Sequence, residues 1–205
     1  MLLMSGSFAH GLPIPAEFAF GRLDPEAPMA LSDNRNPHLA WREVPAGTRS
    51  FALLCVDTEV PTVFDDANQA GRSIPADLPR QDFIHWVMID LPADLREIPA
   101  GSCADGVVKG GNRAPNGPPG SRQGLNDYGG FMGDGDYYGY DGPCPPWNDE
   151  RVHRYEFRLY ALDVARLPIE KSDFTASDVL AAIDGHVLAQ AEVVGTYTLN
   201  RQPQG

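Results

Sequence analysis

The sequence lacks a long apolar run, a cysteine framework and an excess of positive charge. No apolar stretch approaches the roughly 18 residues of a membrane-spanning helix, so an integral membrane protein is not expected. The three cysteines, Cys55, Cys103 and Cys144, show no CxxC spacing, which argues against a zinc knuckle or a disulfide framework. The 16 Lys and Arg against 28 Asp and Glu give a formal charge of −12, which excludes a uniformly basic surface for nucleic acid.

The first residues also lack the features of a secretion signal. Residues 1–7 contain no basic residue, and their apolar segment is too short for a signal peptide. Together with the sparse cysteines, this predicts a protein of a reducing compartment, the cytoplasm.

Glycine and proline, in contrast, are abundant. The 205 residues include 21 glycines and 19 prolines, about a fifth of the chain against about 12% in an average protein. This excess disfavours a helical bundle and predicts a mainly β, loop-rich fold. The length suits one domain, residues 1–205, that buries its own core.

Four segments have the composition of strands, and one has the pattern of a helix. The strands are predicted at residues 51–57, 83–91, 153–162 and 191–199, with a short one near 17–20. A capping box of Thr175 and Asp178 begins the helix, Gly185 follows its end, and a second turn is expected at 163–167. We therefore predict one or two peripheral helices near the C-terminus. Residues 1–30 are expected to be irregular, and 62–82 and 120–141 to be loop insertions.

Three titratable residues fall on the apolar sides of predicted strands. By alternation, Asp57 shares a face with Cys55, His85 with Val87, Ile89 and Leu91, and His153 with Tyr155. Because a sheet rarely buries such groups alone, a common polar pocket at one rim is indicated. Simpler roles remain open: Asp57 as the cap of a turn, and either histidine as a core residue bound to a backbone carbonyl.

Two loops deserve separate interpretation. In residues 140–147, three prolines leave few backbone donors, so the N–H groups of Gly142 and Cys144 are available to an anion. Cys144 is also a candidate nucleophile, with His153 as its base. The glycine-rich run 129–136 lacks the lysine of a phosphate loop and the later ligands of a calcium loop, which indicates an ordinary mobile loop.

Taken together, the motifs resemble the phosphatidylethanolamine-binding protein family, in its bacterial Raf-kinase-inhibitor-like branch. The segments that carry the resemblance are FALLCVDTEVP (51–61), HWVMIDLP (85–92), GPCPP (142–146), HRYEFRLYALD (153–163) and GHVLAQAEVVGTY (185–197). The resemblance implies a β-sandwich of two antiparallel sheets. It also implies a small pocket for phosphate, a phosphoryl head group or a carboxylate.

The resemblance also assigns the ligand-binding residues. They are Asp57, Glu59, His85, Gly142, Cys144, Pro145, His153 and Tyr155. Departures from the family pattern occur at 58–60, at 147–152, which is bulkier and more charged than usual, and at 62–82. They affect the rim of the pocket.

The favoured hypothesis is a non-enzymatic binding protein for an anionic or phosphorylated ligand, with neither metal nor cofactor. A kinase or protease partner and a homodimer are further expectations from the family. The alternatives are a metal-dependent enzyme, an acid–base hydrolase or lyase using Asp57, His85 and His153, and a thiol enzyme using Cys144. If both histidines bind the anion as imidazolium ions, affinity should rise between about pH 7.5 and 6.

Overall fold

The segments rich in β-branched and aromatic residues form the long strands of the protein. The computed structural model describes residues 1–202. In chain order the strands are β1 (Leu2–Met4), β2 (Gly21–Arg22), β3 (Ala30–Leu31), β4 (Leu39–Arg42), β5 (Ser50–Pro61), β6 (Arg80–Pro92), β7 (Glu97–Ile98), β8 (Arg122–Gln123), β9 (His153–Leu162) and β10 (Val187–Tyr197). The helices are a 3-10 turn (Ala16–Phe18), α1 (Tyr128–Met132) and α2 (Ala176–Ala182).

The strands form antiparallel sheets, as the mainly β prediction required. The five-stranded central sheet has the order β10-β9-β5-β6-β8, and β1-β4-β7 form a second sheet. A third, two-stranded sheet of β2 and β3 was not expected from the sequence.

The central sheet is buried on both faces around its middle strand, β5. On one face Phe51 of β5 packs edge-on against Trp41 of β4, with ring centroids 5.4 Å apart. On the other face, β5 contributes Leu54 to a cluster that includes Val179 and Ile183 at α2. Burial on both faces explains why β5 and β6 read as nearly continuous apolar runs.

The predicted elements are largely present, with some changes of boundary. β9 has the predicted bounds, β5 and β6 are longer than predicted, and β10 begins at Val187, earlier than predicted. Residues 16–18 form a 3-10 turn in place of the short strand, and residues 163–167 bend without forming a helix. The N-terminal 30 residues include the short strands β1 and β2.

The predicted helix α2 is present, whereas α1 was not predicted. The Asp178 carboxylate accepts hydrogen bonds from the N–H and the hydroxyl of Thr175, at 2.8 and 2.9 Å, as the capping box predicted. The helix α1 lies in mid-chain and overlaps the glycine-rich run 129–136, which was interpreted as a mobile loop. It is anchored by the buried Tyr128, whose hydroxyl donates to the carbonyl of Gly142 at 2.6 Å.

Candidate functional site

A cavity of about 240 Å³ opens at one end of the central sheet, where β5, β6 and β9 lie side by side. Of the predicted site residues, Asp57, His85, Cys144, Pro145, His153 and Tyr155 line it. Its other lining residues are Phe20, Met29, Leu31, Val60, Phe64, Asn68, Phe83, Tyr128, Phe131, Met132 and Pro146. The cavity therefore has a small polar floor and a largely apolar wall, and no Lys or Arg among residues 1–202 lines it.

His85 reaches the cavity because of a β-bulge. Trp86 pairs with Cys55 and Ile84 pairs with Val56, which leaves His85 as the extra residue. A bulge reverses the alternation of side chains. The prediction that His85 shares a face with Val87 and Ile89 was therefore wrong, because those two residues join the cluster under α2.

One ring nitrogen of His85 is committed to the protein. Its Nδ1 lies 2.7 Å from the carbonyl oxygen of Asp141, and because a carbonyl only accepts, Nδ1 carries the hydrogen. Burial lowers the pKa of His85 below its usual 6.5, although the nearby Asp57 carboxylate acts in the opposite direction. The ring is therefore neutral at pH 7, and its Nε2 remains as a lone pair for the cavity.

His153 has both ring nitrogens on carboxylates. Nδ1 lies 2.7 Å from Asp57 Oδ2 and Nε2 lies 3.1 Å from Asp149 Oδ2. Burial alone would lower the pKa of His153, but the two carboxylates outweigh it and raise the pKa to about 9. His153 is therefore an imidazolium ion with no N–H left over. The expectation that it donates to a bound anion was wrong.

These residues belong to a buried chain of alternating charges. Arg80, with its side chain 6% exposed, holds both carboxylate oxygens of Asp149 at 2.6 and 3.1 Å. Asp149 then contacts His153, and His153 contacts Asp57. Two positive and two negative groups balance, so the chain adds no net charge to the cavity. Asp149 was missed in the sequence, although a carboxylate four residues before a histidine was a usable signal.

Glu59 and Gly142 do not line the cavity. Glu59 forms an ion pair with Arg151 at 2.5 Å. The N–H of Gly142 donates to Asn34 Oδ1 at 2.8 Å, so it is not available to an anion as the sequence suggested. A Cβ at Gly142 would lie 2.2 Å from the carbonyl oxygen of Phe18, which shows that close backbone packing requires the glycine.

Cys144 is half-buried at the wall and is a neutral thiol. Burial raises its pKa to about 12, which removes the thiolate that nucleophilic catalysis needs. Its proposed base, His153, is fully engaged by carboxylates. The geometry therefore does not support the thiol enzyme.

Asp141 supports His85 from behind, and the sequence did not reveal this. Its carboxylate accepts hydrogen bonds from Asn34 Nδ2 at 2.8 Å and Asn126 Nδ2 at 2.9 Å, and its carbonyl accepts from His85. Burial raises the pKa of this carboxyl to about 6, while the two amides lower it. The amide pair fixes the backbone at Asp141 and thereby orients His85.

Tyr155 contributes a second uncommitted polar group. Its hydroxyl is buried and makes no well-formed hydrogen bond among residues 1–202, although the Asp57 carboxylate is close enough to act on it. Burial, together with the nearby Asp57 carboxylate, raises the pKa of this hydroxyl well above 10, so it stays protonated. A ligand in the cavity would meet an intact O–H donor.

The segments 62–82 and 147–152, which depart from the family pattern, pack against each other. Asn148 Nδ2 donates to the carbonyls of Asp66 and Arg72, at 2.8 and 3.1 Å, and its Oδ1 accepts from the N–H of Asn68 at 2.8 Å. Glu150 accepts from the Ser73 hydroxyl at 2.6 Å. Segment 62–82 lines the cavity through Phe64 and Asn68, and segment 147–152 fastens it from outside the cavity.

A metal triad of Asp57, His85 and His153 is not supported. Both nitrogens of His153 carry hydrogens for carboxylates and offer no lone pair. In the described part of the chain, no group of three or more His, Cys, Asp or Glu side chains is arranged to hold a metal ion. We also find no helix within residues 1–202 with the length and hydrophobicity that a membrane span requires.

Comparisons with known proteins agree with this architecture. The model of the phosphatidylethanolamine-binding protein family matches residues 4–198. The UPF0098 protein YbhB of Escherichia coli K12 is 30% identical over 200 residues, which cover 97% of this chain and 100% of YbhB. A UPF0098 protein of Methanothermobacter thermautotrophicus is 36% identical over 165 residues, 80% of this chain and 83% of that protein.

Two solved structures share the fold. Escherichia coli YbcL, described as a member of the mammalian PEBP family, superposes with a TM-score of 0.66 at 25% identity, covering 96% of this chain and 97% of YbcL. The PEBP homologue CT736 of Chlamydia trachomatis gives a TM-score of 0.65 at 28% identity, with 96% and 95% covered. The chain belongs to the phosphatidylethanolamine-binding protein family.

Proposed function

We propose that the protein is a non-enzymatic binding protein that takes a phosphate, a phosphoryl group or a carboxylate into the cavity. The observation that carries the proposal is the state of His85, whose Nδ1 is bound to Asp141 while Nε2 is left for a ligand. The unpartnered hydroxyl of Tyr155 supplies a second contact. Buried polar groups without partners are rare in folded proteins, so a ligand that satisfies both is favoured.

Anion binding at this site requires a proton. Neutral His85 presents a lone pair to the cavity, which repels an anion. Either His85 becomes an imidazolium ion or the ligand arrives in a protonated form that donates to Nε2. Both routes raise the affinity as the pH falls. Because burial lowers the pKa of His85, we expect the rise below about pH 6.5, lower than the sequence indicated.

A catalytic role has less support from the same groups. His153 cannot act as a base while both nitrogens donate to carboxylates, and Cys144 holds its proton. His85 alone does not form the acid–base pair that a hydrolase or lyase needs. A kinase or protease partner and a homodimer stay predictions from the family resemblance.

Calorimetric titration with inorganic phosphate at pH 5.5, 6.5 and 7.5 tests the proposal. Wild-type affinity should rise mainly between pH 6.5 and pH 5.5. We expect His85→Gln to weaken binding by about tenfold or more, since one charge-assisted hydrogen bond is lost. The matched control is His186→Gln, which removes a histidine paired with Asp163 at the surface. It should leave the affinity for phosphate unchanged at each pH.

A second variant guards against a folding defect in His85→Gln. Tyr155→Phe keeps the ring and removes only the unpartnered hydroxyl, so it should weaken phosphate binding by about fivefold without unfolding the protein. Affinity that is flat with pH, or unchanged in both variants, would refute the anion site. Hydrolysis of p-nitrophenyl phosphate that disappears in His85→Gln would refute the non-enzymatic part.

A further inference from the structure

The mouth of the cavity is formed by large apolar side chains that are unusually exposed. The four with the greatest exposure are Leu31 (58%), Phe131 (56%), Met132 (44%) and Phe64 (38%). Large exposed apolar patches commonly mark binding surfaces. This patch is continuous with a polar floor, so one ligand can contact both.

Aromatic rings lead from the floor to the mouth. The Phe83 centroid lies 5.1 Å from that of His85, Phe131 lies 6.5 Å from Phe83, and Phe64 lies 6.1 Å from Phe131. The ring planes are tilted or perpendicular, with angles of 52°, 84° and 55°. Rings at such distances and angles attract one another edge-to-face, and they offer the same contact to another ring.

The two outer rings are held in place by the fold. Phe131 is carried by α1, which is anchored through the buried Tyr128. Phe64 lies in the segment that Asn148 fastens at Asp66 and Arg72. A prearranged aromatic wall costs little entropy when a ligand binds, which favours a rigid partner.

The volume of the cavity fits one ring together with one anionic group. An apolar cavity of about 150 Å³ accepts benzene, and this cavity measures about 240 Å³. The remainder accommodates a phosphoryl or carboxyl group at the floor. A long acyl chain would extend beyond it into solvent. The charge of −12 and the absence of lining Lys or Arg also disfavour an anionic membrane surface.

We propose that the ligand is a phosphate or carboxylate that carries an aromatic substituent, with the anionic group at His85 and the ring against Phe64, Phe83 and Phe131. This inference rests on the proposed anion site. It adds that Phe64 and Phe131 determine specificity, because they supply the apolar contact that a bare anion cannot use.

Comparing phenyl phosphate with methyl phosphate at pH 5.5 tests the inference. Both are phosphate monoesters, and only the first has a ring. We expect wild-type protein to bind phenyl phosphate about tenfold more tightly or better, since burying a phenyl-sized apolar group is worth about that factor. The double variant F64S/F131S should reduce the ratio to about threefold or less, since only Phe83 of the three rings remains, and because both substituted rings are exposed their loss spares the core.

Leu188→Ser is the matched control, because it removes an exposed apolar residue at the far end of β10 and should preserve the ratio. Equal affinities for the two esters in the wild type would overturn the inference and leave the anion site intact. Failure of both esters to bind would overturn the proposed function itself. The inference would also be overturned if the protein bound phosphatidylethanolamine vesicles and showed no preference for phenyl phosphate over methyl phosphate. The apolar mouth would then be a lipid-binding surface.

Discussion

At the scale of single residues, two histidines in one cavity have opposite charge states because their partners differ. His153 lies between two carboxylates and is charged, whereas His85 lies against a carbonyl and aromatic rings and is neutral. From the sequence alone, the charge states of His85 and His153 could not be distinguished. The deciding partner is Asp149, which occupies the second nitrogen of His153 and leaves His85 to carry the ligand chemistry.

The charged state of His153 predicts how stability depends on pH. Its pKa of about 9 in the folded protein exceeds the 6.5 of an unfolded chain, so its contribution is complete below pH 6.5 and is lost as the pH rises through 9. Asp149→Asn should lower the pKa of His153, flatten this decline and cost about 3 kcal/mol, because Arg80 is left without its carboxylate.

Urea unfolding at pH 6.5 and pH 9 measures the effect of Asp149→Asn. Asp105→Asn is the control, since Asp105 is exposed and pairs only loosely with Arg35 at 3.5 Å. An unchanged decline between the two pH values in Asp149→Asn would show that Asp149 does not charge His153.

Gly142 offers a separate prediction at this scale. Gly142→Ala should destabilise the protein by about 2 kcal/mol, because the new methyl group would meet the carbonyl of Phe18. Thermal unfolding measures this, and Gly130→Ala is the control, as a Cβ there meets nothing within 4 Å. Equal stability of the two variants would mean that the backbone at Gly142 has room to adjust.

At the scale of elements, the sequence predicted what periodicity and composition control. The strands β5, β6 and β9 and the capped helix α2 follow from apolar runs and a local capping motif. The bulge at His85 could not be predicted from the sequence, because it arises from pairing between strands that are distant along the chain. The helix α1 was missed because tertiary anchoring of Tyr128 overcomes the low helix propensity of its glycines.

The site shows the same division between local and distant information. The motifs identified the cavity residues Asp57, His85 and Tyr155 in advance. They could not show that Gly142 is bound to Asn34 or that Glu59 turns to Arg151, since both contacts join parts of the chain far apart in sequence.

The wall segment 62–82, which Asn148 fastens from outside the cavity, leads to a prediction about an element. Asn148→Asp removes the two donors that hold the carbonyls of Asp66 and Arg72 and places a negative charge beside them. We expect a loss of about 2 kcal/mol and faster amide hydrogen exchange in residues 66–72. Asn112→Asp keeps its bond to the N–H of Ala114 and serves as control. Unchanged exchange would mean that other contacts hold the wall.

At the scale of the whole molecule, an acidic protein is proposed to bind an anion. The charge of −12 repels such a ligand from a distance, and the balanced chain from Arg80 to Asp57 does not compensate. Recognition therefore depends on short-range hydrogen bonds at His85 and Tyr155 and on apolar contact at the mouth.

This arrangement predicts that the association rate constant depends on salt in an unusual direction. Raising the ionic strength screens repulsion between the protein and the anion, so the association rate constant for phenyl phosphate should increase with salt. Stopped-flow measurements at increasing sodium chloride concentration and fixed pH would show it. A rate constant that falls with salt would reveal a local positive field that this account does not contain.

The most direct test of the central claim is a nitrogen-15 NMR titration of the histidine side chains with and without inorganic phosphate. We predict that the pKa of His85 lies below 6.5 without phosphate and that its neutral form carries the hydrogen on Nδ1. Phosphate should raise this pKa. His153 should remain doubly protonated up to about pH 9, whether phosphate is present or absent. A phosphate-dependent shift at His153 with none at His85 would contradict the account.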